Sequence, residues 1–202
     1  FYLLEKMRYY DEYVKSEKYI GDTTFTHFAN VFHEIAGKTW GIVGLGNIGR
    51  RVAEIAKLFG CRVIYYSTSG KNNNADYERV SFDEILAQSD VLSVHAPLDE
   101  NTRGLFDKAA FAKMKPSSIF INVGRGPIVV EQDLADALKN GVIAAAGLDV
   151  LAVEPMSESN PLREIKDSEK LIITPHIAWA SIEARTRLMG IIQNQIKEYF
   201  GI

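Results

Sequence analysis

Short apolar runs alternate with amphipathic stretches from residue 38 to the end of the chain. The apolar runs are rich in β-branched residues and are apolar on both faces, which is typical of parallel strands covered by helices on both sides. We predict six strands, at residues 39–43, 61–66, 91–95, 118–122, 144–150 and 171–173. The pattern therefore predicts an α/β fold built on a doubly wound parallel sheet.

Apolar residues at helical spacing predict the helices that join these strands. Ser81 and Glu84 form a capping box that opens one short helix. The other helices are predicted at residues 48–58, 107–114, 130–140 and 181 to about 200, and residues 71–75 are predicted to be a polar loop. Before the first strand, one face of a further helix is formed by Leu3, Met7, Tyr10 and Val14. No capping residue precedes that helix, so we expect the chain to begin inside it, with residues missing upstream.

Composition and charge exclude several classes of protein. The chain has 202 residues and a formal net charge of −3, which gives no electrostatic basis for binding nucleic acid. No apolar run is long enough to span a membrane, and no metal site is predicted. Cys61 is the single cysteine, so an intramolecular disulfide is excluded and a reducing compartment, the cytoplasm, is expected.

A glycine-rich turn follows the first predicted strand and opens a helix. Its sequence is G-x-G-x-x-G, with glycines at Gly44, Gly46 and Gly49. The first glycine permits a tight turn, the second lets a pyrophosphate approach the backbone, and the third lets helix and strand pack closely. The amides of Asn47 and Ile48 would face the phosphates at the positive end of the helix. The context predicts a dinucleotide site in a sheet of Rossmann type.

The identity of the dinucleotide depends on the end of the second strand. An acidic residue about 20 residues after the glycines normally binds the adenosine ribose 2′-hydroxyl. Ser67 stands at that position, and Lys71 follows in the same loop. Without a carboxylate, a 2′-phosphate is no longer repelled. NAD is still the expected cofactor, and for this reason NADP is an open alternative.

Three ionisable residues follow three later strands. Arg125, Glu154 and His176 come after the fourth, fifth and sixth predicted strands. Ligands of open α/β sheets bind at the carboxyl ends of the strands, so these side chains are expected on the same rim as the glycine turn. Arginine can hold a substrate carboxylate, histidine can transfer a proton, and a glutamate beside it would fix its tautomer. Asp149 either caps a local turn or binds the nicotinamide amide.

The motifs carrying these residues resemble those of the D-isomer-specific 2-hydroxyacid dehydrogenases. They are GLGNIG, VHAPLDENT, NVGRGPIV, GLDVLAVEP and TPHIAWAS, in that order from about residue 37. The resemblance implies that Arg125, Glu154 and His176 are catalytic and that a small 2-keto or 2-hydroxy acid is the substrate. It further implies cofactor contacts from Asn47, Ile48, Pro97, Thr102, Val123 and Asp149, with His95 beside them. Trp179 and the AWAS run are similar to glycerate dehydrogenases, also called hydroxypyruvate reductases.

The resemblance also implies a domain division. Residues 1–36 would be an inter-domain helix and connecting segment, 37–180 the nucleotide-binding domain, and 181–202 a helix returning toward a substrate domain. Most of that substrate domain is expected to be missing, so we expect this chain to bind cofactor with little or no turnover. A homodimer is expected. Because some corepressors share the three catalytic residues, a cofactor-sensing interaction protein is the alternative function.

Overall fold

The computed structural model describes residues 1–167 and 169–201. Seven parallel strands form one sheet in the order β3-β2-β1-β4-β5-β6-β7. The strands are β1 (Thr39–Val43), β2 (Arg62–Tyr66), β3 (Glu78–Arg79), β4 (Val91–Val94), β5 (Ile119–Asn122), β6 (Ala145–Leu148) and β7 (Leu171–Ile173). Because β1 pairs with both β2 and β4, the chain reverses its direction of travel across the sheet beside β1. Such a switch point is where open α/β sheets bind ligands.

Six α-helices accompany the sheet within the described residues. They are α1 (Met7–Lys15), α2 (Asn47–Leu58), α3 (Phe82–Gln88), α4 (Lys108–Ala112), α5 (Glu131–Lys139) and α6 (Ile182–Phe200). The Ser81–Glu84 capping box opens α3 as predicted, since the Ser81 hydroxyl accepts from Glu84 N–H and the Glu84 carboxylate accepts from Ser81 N–H. The doubly wound α/β fold predicted from the sequence is confirmed.

The two faces of the sheet are covered differently. On one face α3, α4 and α5 pack over the strands and bury an aromatic group that includes Phe106, Phe111 and Phe120. On the other face α2 covers β1 and β2, and Leu3 packs against Ile119 and Ala145. A cavity of about 480 Å³ remains along this second face. The sheet core is therefore closed on one side and partly open on the other.

Two predictions about secondary structure were wrong. A seventh strand, β3, was not predicted because its two residues are exposed and carry no apolar pattern. It pairs in parallel with Ile64 and Tyr65 of β2. The first helix begins at Met7, and within the described chain it buries none of its residues. Leu3 lies in the turn before it and is 8% exposed. Of the apolar residues at helical spacing, only Leu3 is thus buried in the described structure, and it lies before the helix rather than on a buried helix face.

No helix in the described ranges is both long and apolar enough to cross a membrane.

Candidate active site

The glycine turn is shaped by close contacts within the protein. Gly44 has φ +91°, and a Cβ there would lie 2.8 Å from the backbone nitrogen of Ala96. A Cβ on Gly49 would lie 2.3 Å from the carbonyl oxygen of Gly44. Both distances are shorter than real Cβ contacts allow, so only glycine permits β1, α2 and the β4 end to approach this closely.

Gly46 is different. Its backbone is extended, and a Cβ there would meet no atom of the described residues within 4 Å. Gly46 is also the N-cap of α2 and offers no side chain to bond the first N–H groups of that helix, which include those of Asn47 and Ile48. Neither conformation nor internal packing requires glycine here. A phosphate approaching the helix N-terminus would require it, and the turn therefore fits a dinucleotide.

The loop after β2 folds back onto this turn. Ser67 is 5% exposed, and its Oγ accepts a hydrogen bond from the Asn72 backbone N–H at 3.2 Å. The Asn72 side chain donates from Nδ2 to the carbonyl oxygen of Leu45 in the glycine turn, at 2.5 Å. Ser67 thus helps to shape the loop, while Lys71 is exposed within it. Asn72 joins the two parts of the expected adenosine site, a link that residue spacing alone does not reveal.

His95 lies at the end of β4, beside the turn. The indole N–H of Trp40 donates to Ser93 Oγ at 2.9 Å, and Ser93 Oγ lies 3.0 Å from His95 Nε2. Among the described residues, the Ser93 hydroxyl has His95 Nε2 as its acceptor. Nε2 therefore carries no proton, and the proton of the neutral imidazole lies on Nδ1. Burial lowers the pKa of His95 to about 4, which keeps the ring neutral at physiological pH. Its Nδ1 is buried without a hydrogen-bond partner among the described residues.

Pro97 and Thr102 belong to the loop after β4. Thr102 is fully buried, and its hydroxyl donates to the carbonyl oxygen of Pro97 at 2.7 Å while accepting from Asp99 N–H at 2.8 Å. The Thr102 hydroxyl is therefore used in shaping the loop. Pro97 is exposed at the rim of the sheet.

Val123 and Arg125 lie in the turn after β5. The buried Asn122 shapes this turn, because its side chain donates to Arg125 O and accepts from Gly124 N–H, both at 3.0 Å. The Arg125 guanidinium is exposed and donates to Gly124 O at 2.8 Å. The turn approaches the loop after β6 so closely that a Cβ on Gly126 would lie 1.8 Å from Leu151 O. The roles of Asn122 and Gly126 were missed in the sequence, although both stand in the arginine motif.

His176 and Glu154 form a direct pair. His176 Nδ1 lies 2.6 Å from Glu154 Oε2, and Glu154 Oε1 accepts from Leu151 N–H at 2.7 Å. Partial burial acts to raise the pKa of Glu154, but the hydrogen bonds from His176 and Leu151 outweigh it and hold that pKa below its usual value. The carboxylate is thus ionised and fixes Nδ1 of the imidazole as a donor, which leaves Nε2 for proton transfer. Both side chains remain partly exposed.

Asp149 is 5% exposed and points into the segment that carries His176. Its carboxylate accepts from the Thr174 hydroxyl at 2.5 Å and from the N–H groups of Ile177 and Ala178 at 2.9 Å each. Burial acts to raise the pKa of Asp149, but these hydrogen bonds and the nearby His176 lower it. Of the two alternatives for Asp149, the structure shows the local cap. A carboxylate accepts about four hydrogen bonds, so one acceptor position remains for a ligand.

The sequence matches the family described as "D-isomer specific 2-hydroxyacid dehydrogenase, NAD binding domain" over residues 1–178. This chain belongs to that family. The resemblance seen in the sequence motifs is thereby confirmed, and so is NAD as the cofactor of the domain. No cluster of three or more metal-ligating side chains occurs in the part of the chain that the structure describes.

Named relatives in this dehydrogenase family include reductases of small keto acids. The chain is 46% identical to a hydroxypyruvate reductase of Blautia hydrogenotrophica over 170 residues, which are 82% of this chain and 51% of the relative. It is 44% identical to a glyoxylate reductase of Aeropyrum pernix over 160 residues, 77% of this chain and 46% of the relative. The chain therefore spans about half the length of the curated relatives that it matches.

Solved structures of the same architecture carry either nicotinamide cofactor. A D-lactate dehydrogenase of Aquifex aeolicus, complexed with NAD and lactic acid, matches with a TM-score of 0.88 and 25% identity over 99% of this chain and 63% of that one. An acyclic imino acid reductase in complex with NADPH and D-Arg matches with a TM-score of 0.87 and 31% identity. That match covers 100% of this chain and 62% of the solved one.

Proposed function

We propose that the protein is a nicotinamide-dependent oxidoreductase that interconverts small 2-keto acids and D-2-hydroxy acids. The observation that carries the proposal is the pairing of His176 Nδ1 with Glu154 Oε2 at 2.6 Å, on the rim that also holds the glycine turn. A carboxylate-oriented imidazole beside a dinucleotide site is the arrangement that carbonyl reduction needs, because a proton must reach the oxygen as hydride reaches the carbon.

Each catalytic residue has a distinct role. His176 would hold a proton on Nε2 and donate it to the substrate oxygen, or accept it in the reverse reaction. Glu154 would keep Nδ1 as a donor and stabilise the protonated ring. Arg125, which has no salt bridge in the described structure, would bind the substrate carboxylate by two parallel hydrogen bonds. The nicotinamide cofactor supplies or accepts the hydride.

The cofactor would lie along the carboxyl ends of β1, β4 and β5. The open space at Gly46 and the unpartnered Nδ1 of His95 fit a ligand in this position. The residues proposed to contact or surround the cofactor are Gly44, Gly46, Asn47, Ile48, Gly49, Ser67, His95, Pro97, Thr102, Val123 and Asp149. NAD is the preferred form, while Lys71 in a loop without a carboxylate at Ser67 leaves room for NADP.

Hydroxypyruvate and glyoxylate are the proposed substrates. Two relatives are named for these reactions, and both compounds are small keto acids with a carboxylate for Arg125. A groove of about 550 Å³ runs beside His176 and Glu154, lined by Leu151, Met156 and Ile173 among others.

A homodimer in a cytoplasmic setting is part of the same proposal. The segment after α1 exposes large aromatic side chains, including Phe25 at 91% and Phe28 at 85%. An aromatic patch of this kind is typical of a protein interface. The free, buried Cys61 is in keeping with a reducing compartment.

The test has two arms. The 202-residue chain is titrated with NADH and NADPH in parallel, following cofactor fluorescence. Because this chain is expected to show little or no turnover, the protein joined to its expected substrate domain is assayed for NADH oxidation with hydroxypyruvate, glyoxylate and a keto compound without a carboxylate. We expect NADH to bind more tightly and only the keto acids to be reduced. Tighter NADPH binding would show that the Ser67–Lys71 loop reads the 2′-phosphate. Binding of neither cofactor, or no reduction of any keto acid by the protein, would contradict the proposal.

A further inference from the structure

His176 has an unusual backbone. Its φ is +54°, in the left-handed region that residues with a Cβ seldom adopt. A non-glycine residue in this conformation costs about 1–3 kcal/mol, so the surrounding structure must hold it there. The neighbouring Pro175 and Ile177 are not glycines that could share the distortion. Hydrogen bonds must therefore fix the segment.

Asp149 provides those hydrogen bonds. Its backbone C=O accepts from His176 N–H at 2.9 Å, and its two carboxylate oxygens accept from Ile177 and Ala178 N–H. Three consecutive amides thus bond to one residue. Asp149 itself is anchored to the sheet, because its N–H donates to Asn122 O at 3.0 Å. The conformation of His176 is therefore tied to the ends of β5 and β6.

Thr174 determines where the Asp149 carboxylate points. Its hydroxyl donates to Asp149 Oδ1 at 2.5 Å, and its N–H donates to Leu148 O at 2.8 Å, continuing the ladder between β6 and β7. Hydrogen bonds to an ionised acceptor are stronger than neutral ones. The hydroxyl thus holds the side chain of Asp149 in the one orientation that reaches both Ile177 and Ala178.

We propose that Thr174 is a positioning residue that acts through Asp149 to keep His176 in the left-handed conformation that places its imidazole against Glu154. This inference rests on the proposed function, since it assigns Thr174 a part in proton transfer without contact with substrate. Loss of the hydroxyl frees the Asp149 carboxylate, lets the backbone relax to negative φ, and moves Nδ1 away from Glu154.

The experiment compares three variants. Thr174→Val removes the hydroxyl and keeps the shape, and Thr174→Ser keeps the hydroxyl. Thr186→Val makes the same change in α6, where the hydroxyl donates to Ile182 O and to no other described residue. The first readout is the NMR signal of the hydrogen-bonded Nδ1 proton of His176 in the 202-residue chain. The second is kcat and KM of the protein for hydroxypyruvate, with NADH affinity measured beside them.

We expect Thr174→Val to lose the Nδ1 signal and to lower kcat by roughly 10- to 100-fold, the size of effect that follows from slight misplacement of a catalytic group. NADH binding should weaken by a smaller factor than kcat, because Asp149 is also proposed to contact the cofactor. Thr174→Ser should restore both, and Thr186→Val should match the wild type. An unchanged signal in Thr174→Val, or a Thr174→Ser variant as impaired as Thr174→Val, would overturn the proposal.

Two further outcomes are informative. If the wild-type protein reduces no keto acid, the proposed function fails, whereas loss of the Nδ1 signal in Thr174→Val and its return in Thr174→Ser would still establish the positioning. If Thr174→Val does not fold, amide hydrogen exchange of the wild type decides. Slow exchange at His176, Ile177 and Ala178 supports the Asp149 cap, and fast exchange at these amides refutes it.

Discussion

The glycine turn and the His176 segment lie on the same edge of the sheet, but different forces hold them. At the turn, Gly44 and Gly49 sit so close to neighbouring backbone that a single added carbon would clash. Around His176 the imidazole and the Glu154 side chain are partly exposed, and hydrogen bonds donated to the carboxylates of Glu154 and Asp149 determine the geometry. The turn is therefore sensitive to added volume, and the His176 segment to the loss of a donor or acceptor.

The largest effect is expected at His176, the proposed proton carrier. His176→Asn removes the proton carrier and should lower kcat for hydroxypyruvate by about 10²–10⁴-fold. Unfolding by urea should be little changed, because the side chain is partly exposed. The matched control is His33→Asn, an exposed histidine outside the site, which should keep full activity. Equal activity of the two variants would contradict the proposal that His176 carries the proton.

His95, a half-buried histidine beside the glycine turn, allows a comparison with the partly exposed His176. Its folded-state pKa of about 4 lies below the ordinary value of 6.5. Stability is therefore fully present above pH 6.5 and decreases as the pH falls toward 4, because the unfolded chain binds the proton first. The loss amounts to roughly 3 kcal/mol. Urea unfolding at several pH values should show it, and His95→Gln should flatten the curve; an equally steep curve in the variant would argue against a buried neutral ring.

Gly49→Ala tests the close packing at the turn. The new Cβ would lie 2.3 Å from Gly44 O, so β1 and α2 must move apart. We expect a loss of about 1–3 kcal/mol in the free energy of unfolding, together with weaker NADH binding. Gly190→Ala is the control, since that position in α6 has no neighbour within 4 Å in the described structure. There alanine should be neutral or stabilising by up to about 1 kcal/mol.

Gly46→Ala separates ligand binding from stability. Its Cβ would meet open space, so unfolding should change by less than about 1 kcal/mol. NADH affinity should nevertheless fall by at least about tenfold, because the added methyl would occupy the approach of the pyrophosphate. Calorimetric titration and urea unfolding of the same sample give both quantities. If Gly46→Ala binds NADH as tightly as the wild type, the pyrophosphate does not bind beside Gly46.

Much of this architecture could be predicted from local patterns. Apolar runs and helical spacing predicted six of the strands and five of the helices near their observed positions, and the glycine spacing located the turn between β1 and α2. These elements can be predicted from sequence because strand and helix periodicity depends on near neighbours in the chain. Arg125, Glu154 and His176 could be selected because parallel strands present their carboxyl ends at one edge; their catalytic roles remain predictions.

The remaining features depend on contacts between residues far apart in sequence. The two-residue strand β3 exists through its parallel backbone pairing with Ile64 and Tyr65 of β2, and α1 buries no side chain in the described structure. Neither fact has a periodic signature. The bond from Asn72 to Leu45 and the relay from Trp40 through Ser93 to His95 likewise join segments that only the folded sheet brings together.

The sequence by itself determined the α/β class, the dinucleotide turn and the residues available for chemistry, because each is written in local spacing and residue type. Only the tertiary structure decided how those residues are held. It set His176 in a left-handed backbone whose N–H bonds to Asp149 O, and it half-buried His95 so that its ring stays neutral. Hydrogen-bond geometry and burial depend on the packing of β1, β4, β6 and β7 together, which no single segment encodes.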